Sequence, residues 1–193
     1  MNARDGVPFL RCPTHAKACP PNQAENDVKM VVNLKPAAVF IVNNWDIWMN
    51  QQGSCVTWTT EEERVANGNK VLDALAEDVK TIMSKVYVPT VEVSGEKFNP
   101  ASIYSAFGVV EERLKPVKRS EFRSQYKELI DRVESRIKST GATMIDLSDD
   151  YCYNDSCEVI DRYGNPIMKD SNHFRPFYAP AYSFSMDQVY DGL

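Results

Sequence analysis

Residues 34–49 read Leu-Lys-Pro-Ala-Ala-Val-Phe-Ile-Val-Asn-Asn-Trp-Asp-Ile-Trp-Met. Pro36 disfavours the helical conformation in Lys35, so any preceding helix stops there. Residues 37–42 are an unbroken apolar run of strand length, rich in β-branched side chains. A run without polar alternation predicts a strand buried on both faces, as in a parallel sheet. Asn43 and Asn44 end it.

Downstream, Thr60 and Glu63 carry the spacing of a capping box. Val65, Leu72, Leu75, Val79 and Ile82 follow at three- and four-residue intervals, which predicts a helix from about 60 to 85. Residues 86–93 (VYVPTVEV) read as a second strand, with Pro89 demanding an edge position or an early end. Residues 94–119 hold Gly95, Pro100 and Pro116 and read as a long irregular connection of the functional kind. Ser120 predicts the cap of another helix, with Phe122, Tyr126, Leu129, Ile130, Val133 and Ile137 as its apolar stripe and Gly141 as its stop. Residues 143–147 are a third strand. Upstream, residues 1–24 read as loop and 25–34 as a short helix; the tail from Pro176 is aromatic-rich and partly helical. Strands alternating with long helices predict a single α/β domain over 1–193, three-layered, with helices on both faces of a parallel sheet. Chemistry in such folds sits on loops beyond the carboxyl ends of the strands.

The 193 residues are 43% hydrophobic and 25% charged, enough for a real core and ordinary in charge. A net charge of -5 without a basic run excludes nucleic acid as the expected partner. No stretch reaches the roughly 20 apolar residues of a membrane span, and the N-terminus lacks the apolar core of a signal peptide. Of five cysteines, Cys12 with Cys19 and Cys152 with Cys157 are close pairs in polar segments, as disulfides in an oxidising compartment would be. That leaves Cys55 as the odd thiol. Cys12, His15 and Cys19 supply three metal-type ligands where a structural zinc normally takes four, so no metal is expected. The eight scattered glycines form no phosphate loop, and no organic cofactor is expected.

The chain has two histidines, and one lies in Asp170-Ser171-Asn172-His173. An Asp three residues before a His on a tight loop can accept the Nδ1 proton and orient the ring, leaving Nε2 to take a proton from a serine. A surface loop whose Asp caps the following turn has the same spacing.

The stretch 145–179 extends that motif. It holds Asp146 at a strand end, Cys152 and Cys157, Gly164-Asn165-Pro166, then Asp170 and His173. It resembles the end of SGNH domains fused to acyltransferase-3 membrane proteins. The Pro36 strand with Trp45 and Trp48, and the upstream Cys19-Pro20-Pro21, also resemble that family. The resemblance implies an SGNH-hydrolase-like fold with Asp170 and His173 as triad acid and base, and Asn43 or Asn44 beside Trp45 at the oxyanion or substrate. It implies transfer of an acyl group, usually acetyl, to bacterial surface polysaccharide such as lipopolysaccharide. The partners would be an acyl donor, the polysaccharide acceptor and a membrane acyltransferase domain, and the location periplasmic. Two departures stand out. Phe174-Arg175 replaces the family's Leu-Ser after the His, and no Gly-Asp-Ser, the family's nucleophile block, occurs anywhere. The chain is therefore expected to lack the first strand and to show little catalysis alone. The alternative is a non-catalytic remnant or a glycan-binding module on the same scaffold.

Overall fold

In the computed structural model, described over residues 11, 22–50, 55–106, 108–178 and 184–191, the chain forms two compact units. The first is Met1–Val91 with Glu128–Ile145; the second is Glu92–Lys127 with Asp146–Gly192.

The first unit is built on a three-stranded parallel sheet. Helix α1 (Gln23–Leu34) ends where Lys35 takes a left-handed conformation, φ 48°, a way out of the helical region that Pro36 forbids it. Strand β1 (Ala38–Phe40) follows, then the short helix α2 (Trp45–Asn50), the 21-residue α3 (Glu61–Thr81) and strand β2 (Lys85–Pro89). Phe40 pairs with Tyr87 and Pro89 with Ile145, giving the order β1-β2-β6, where β6 is Thr143–Ile145. Strand β2 lies in the centre and is buried from Val86 on. Pro89 ends it early rather than marking an edge. The expectation that residues 37–42 are buried on both faces is not met: β1 is only half-buried and Val42 is exposed. Among the described residues β1 is an edge strand, so one flank has no neighbour to cover it.

At the start of α3, Thr60 Oγ1 accepts from the Glu63 amide at 3.2 Å. The Glu63 carboxylate reaches back to Thr59, accepting its N–H at 2.7 Å and its hydroxyl at 2.6 Å. The apolar stripe faces inward. Leu72, Leu75, Val79 and Ile82 are buried with Val86, Val88 and Ile145 of the sheet and with Val133 and Ile137 of the helix Lys127–Lys138.

In the second unit the long connection after β2 is partly regular. It carries helix α4 (Pro100–Ile103), a β3–β4 hairpin (Tyr104–Ser105 with Gly108–Val109) and β5 (Val117–Lys118). The helix expected from Ser120 is two helices, α5 (Arg119–Gln125) and α6 (Lys127–Lys138), interrupted at Tyr126. Ser120 is not the cap. Asp155 does that work from a distant turn: its backbone carbonyl accepts the Arg119 N–H at 3.0 Å and its carboxylate accepts the Ser120 N–H at 2.7 Å. The Ser120 hydroxyl and then the Ser120 N–H, both donating to the Asp155 carboxylate, hold that carboxyl below its ordinary range. Strands β7 (Cys152–Tyr153) and β8 (Ser156–Cys157) complete an antiparallel sheet in the order β5-β8-β7. Cys152 and Cys157 face each other across it and are joined by a disulfide. Cys55, expected as the odd thiol, is also disulfide-bonded; Cys12 and Cys19 lie outside the described residues, as does His15. Near the C-terminus a helix spans Asp187–Asp191, and the Ser185 amide donates to Asp150 at 2.7 Å.

Candidate active site

Asp170 and His173 sit on a tight loop in the second unit. An antiparallel bridge between Met168 and Phe174 closes the loop, and the Lys169 amide donates across it to the His173 carbonyl at 2.7 Å. Ile167 and Met168 are fully buried and anchor the entering chain. Inside the loop Asp170 Oδ1 accepts three N–H groups: the Asn172 amide at 2.9 Å, the His173 amide at 3.0 Å and His173 Nδ1 at 2.9 Å. Burial pushes the Asp170 carboxyl up, but the hydrogen bonds from Asn172 and His173 outweigh it and hold the group below the ordinary value. A carboxylate accepts only, so it fixes the ring in the Nδ1–H tautomer. The imidazole is 71% exposed, and among the described residues nothing bonds its Nε2. A ring so oriented can take a proton from a hydroxyl at Nε2.

The wall beside this loop comes from the start of the connection after β2. The Gly95 amide donates to the Ser171 carbonyl at 2.8 Å. The Tyr151 hydroxyl donates to the Val93 carbonyl at 2.6 Å. Phe98, Tyr151, Phe174 and Tyr178 form a chain of ring contacts with centroids 5.4–5.9 Å apart. Burial pushes the Glu92 carboxyl up to about 7, eased by His173 and raised further by Asp146. No sequence signal marks it, since it sits in an apolar strand-like run.

Asp146, noted as a strand-end acid, is structural: its carboxylate accepts from the Ser148 amide at 3.0 Å and pairs with Arg123. A cleft of about 350 Å³ in the same unit is lined by residues including Asp150, Tyr151, Tyr153, Asp161 and Tyr178; Asp170 and His173 do not line it.

In the first unit the three strand-end candidates differ in kind. Trp45 is 2% exposed and its Nε1 donates to the Pro89 carbonyl at 3.1 Å, a core role. Asn44 Oδ1 accepts the Ile47 amide at 3.1 Å and so serves the start of α2. Asn43 is buried, and among the described residues neither its Nδ2 nor its Oδ1 has a partner. The only other buried orphan of this kind among the described residues of that unit is the Thr90 hydroxyl. Among the described residues no group of three His, Cys, Asp or Glu side chains is placed to hold a metal. None of their helices is long and apolar enough to cross a membrane.

No curated protein matches the chain. Among solved structures it is similar to the lipopolysaccharide acetyltransferase periplasmic domain of Salmonella ser. Paratyphi A, at 13% identity and a TM-score of 0.49. That match covers 88% of this chain and 61% of that one, so the chain spans less than two thirds of its length. Residues 3–182 match the family described as the SGNH domain fused to AT3 domains. With an α/β fold, a parallel sheet and that match along nearly its whole length, the chain belongs to the SGNH domain family whose members are fused to AT3 domains.

Proposed function

We propose that the chain is part of an acyl-transfer machine that acetylates bacterial surface polysaccharide, with His173 as general base and Asp170 as its orienter. The observation that carries this is the Asp170–His173 bond at 2.9 Å, with Nε2 left exposed. At the end of β1, Asn43 is the polar side chain with both groups left for a substrate oxygen, whereas Asn44 Oδ1 accepts the Ile47 amide and Trp45 Nε1 donates to the Pro89 carbonyl. The membership of AT3-fused domains supports a membrane acyltransferase domain as partner. The Cys152–Cys157 disulfide suits a periplasmic site. The acyl donor and the polysaccharide are the two substrates, and serine-ester chemistry of this type calls for no cofactor.

The 193 residues contain no Gly-Asp-Ser, so they supply base and orienter without the nucleophile. Loss of a triad member costs several orders of magnitude in rate. That absence also favours a second reading, a glycan-binding scaffold without turnover.

Hydrolysis of p-nitrophenyl acetate tests the first. The chain alone is expected to match its His173→Ala variant at background. A version extended at its N-terminus with a family Gly-Asp-Ser segment, and shown to fold by a cooperative thermal melt, is expected to turn over substrate. His173→Ala should then remove that turnover. An extended, folded protein as active with His173→Ala as without it sinks the proposal.

A further inference from the structure

Among the described residues, three polar atoms at the carboxyl end of the parallel sheet are buried without a partner: Asn43 Nδ2, Asn43 Oδ1 and Thr90 Oγ1. Both residues are 6% exposed. Buried polar groups are nearly always hydrogen-bonded, and leaving one bare costs as much as a lost bond. Two side chains in that state, each just beyond a paired strand, call for an explanation.

We infer their proximity from the register, whose last pair is Phe40 with Tyr87. Phe40 is level with Tyr87, and the Ile41 amide donates to the Tyr87 carbonyl at 2.9 Å, continuing the ladder. Carrying the same offset forward sets residue 41 level with 88, 42 with 89, and Asn43 with Thr90. The backbone there is held firmly. Thr90 donates its amide to the Ile145 carbonyl at 2.8 Å, and Trp45 Nε1 donates to the Pro89 carbonyl at 3.1 Å. The side chains are thus fixed on tied strand ends, yet do not bond each other.

The three atoms define what would satisfy them. Asn43 Nδ2 donates, Asn43 Oδ1 accepts, and the Thr90 hydroxyl does both. An acyl carbonyl oxygen accepts only and leaves Oδ1 bare. A hydroxyl donates to Oδ1 and, with two lone pairs, accepts from both the Thr90 hydroxyl and Nδ2, completing the set. We propose that Asn43 and Thr90 form a seat for a hydroxyl group of a neutral sugar, with Thr90 as a positioning residue for the acceptor. This rests on the acyl-transfer reading for its biological sense, but its geometry lies wholly at the ends of β1 and β2.

The test is a titration of the 193-residue chain with methyl β-D-glucoside, followed by NMR at the Asn43 side-chain amide, with methyl acetate as the carbonyl-only control. The glucoside is expected to shift that amide and methyl acetate to leave it in place. Thr90→Val should weaken the glucoside by roughly three- to tenfold, the value of one hydrogen bond. Thr90→Ser, which keeps the hydroxyl, should restore it. Thr90→Val should melt no lower than the parent, because it removes an orphan and keeps the shape. A glucoside that leaves the amide unmoved, an equal shift with methyl acetate, or a lower melting temperature for Thr90→Val overturns the proposal. Failure of the acyl-transfer reading would show instead at His173, in the hydrolysis assay, with this titration unaffected.

Discussion

Asp170 holds His173 at two points, taking its backbone N–H at 3.0 Å and its ring Nδ1 at 2.9 Å. The carboxylate is therefore loop staple and ring orienter together, so the surface-cap and catalytic interpretations of Asp-x-x-His are compatible here. The Nδ1–H tautomer follows from the acceptor-only carboxylate. Asp170→Ala should shift the neutral ring toward the Nε2–H tautomer. Long-range nitrogen–proton NMR of His173 reads this directly; an unchanged tautomer would show that Asp170 does not orient the ring.

Glu92 gives the second unit a pH dependence of unusual sign. Its folded value of about 7 lies above the ordinary 4.5, so between those values the folded chain keeps a proton that the unfolded chain has released. Stability from this group is present below about pH 4.5, falls as the pH rises, and is gone above 7. Glu92→Gln removes the penalty. It should stabilise the protein by about 1–3 kcal/mol at pH 8 and by nothing at pH 4. Urea unfolding at the two values measures the difference.

What could be read from the sequence was local. The α3 cap and stripe, the β2 stop at Pro89 and the Asp170–His173 spacing are relationships within a few residues, where periodicity and turn chemistry decide. What could not be read depends on distant partners. Ser120 has the chemistry of a cap, yet Asp155 supplies it from 35 residues away. The α5–α6 break at Tyr126 falls inside an intact apolar stripe, where the ring of Tyr126 stacks on Phe122 at 4.5 Å. Thr90 gains meaning only when the β1–β2 register is carried past Phe40 and Tyr87 to Asn43, and the edge position of β1 only through the sheet order.

The Cys152–Cys157 disulfide closes a loop with a sequence separation of 5 across the turn between β7 and β8. Loop-closure entropy for so short a loop is worth about 2 kcal/mol, less than for a bridge spanning a domain. Replacing both residues by Ala should lower stability by about that amount, measured by thermal or urea unfolding. A loss well above it would mean that the bridge also holds the β5-β8-β7 sheet in register.

Arg132 occupies the space that Gly68 leaves open in the middle of α3. A Cβ at position 68 would run into the Arg132 guanidinium. That guanidinium is largely buried; its Nη2 donates to the Val65 carbonyl at 3.3 Å and its Nε to Asn69 Oδ1 at 3.1 Å. On helix propensity alone Gly68→Ala would stabilise by about 1 kcal/mol. Displacing the guanidinium gives up two hydrogen bonds from a charged donor, worth about 1.5–3 kcal/mol each, so against the propensity gain the net change should be a loss of about 2–5 kcal/mol. In an Arg132→Ala background the clash disappears and the same substitution should stabilise. The double-mutant cycle therefore predicts a change of sign at one position, a result that helix propensity without the Arg132 contact cannot give.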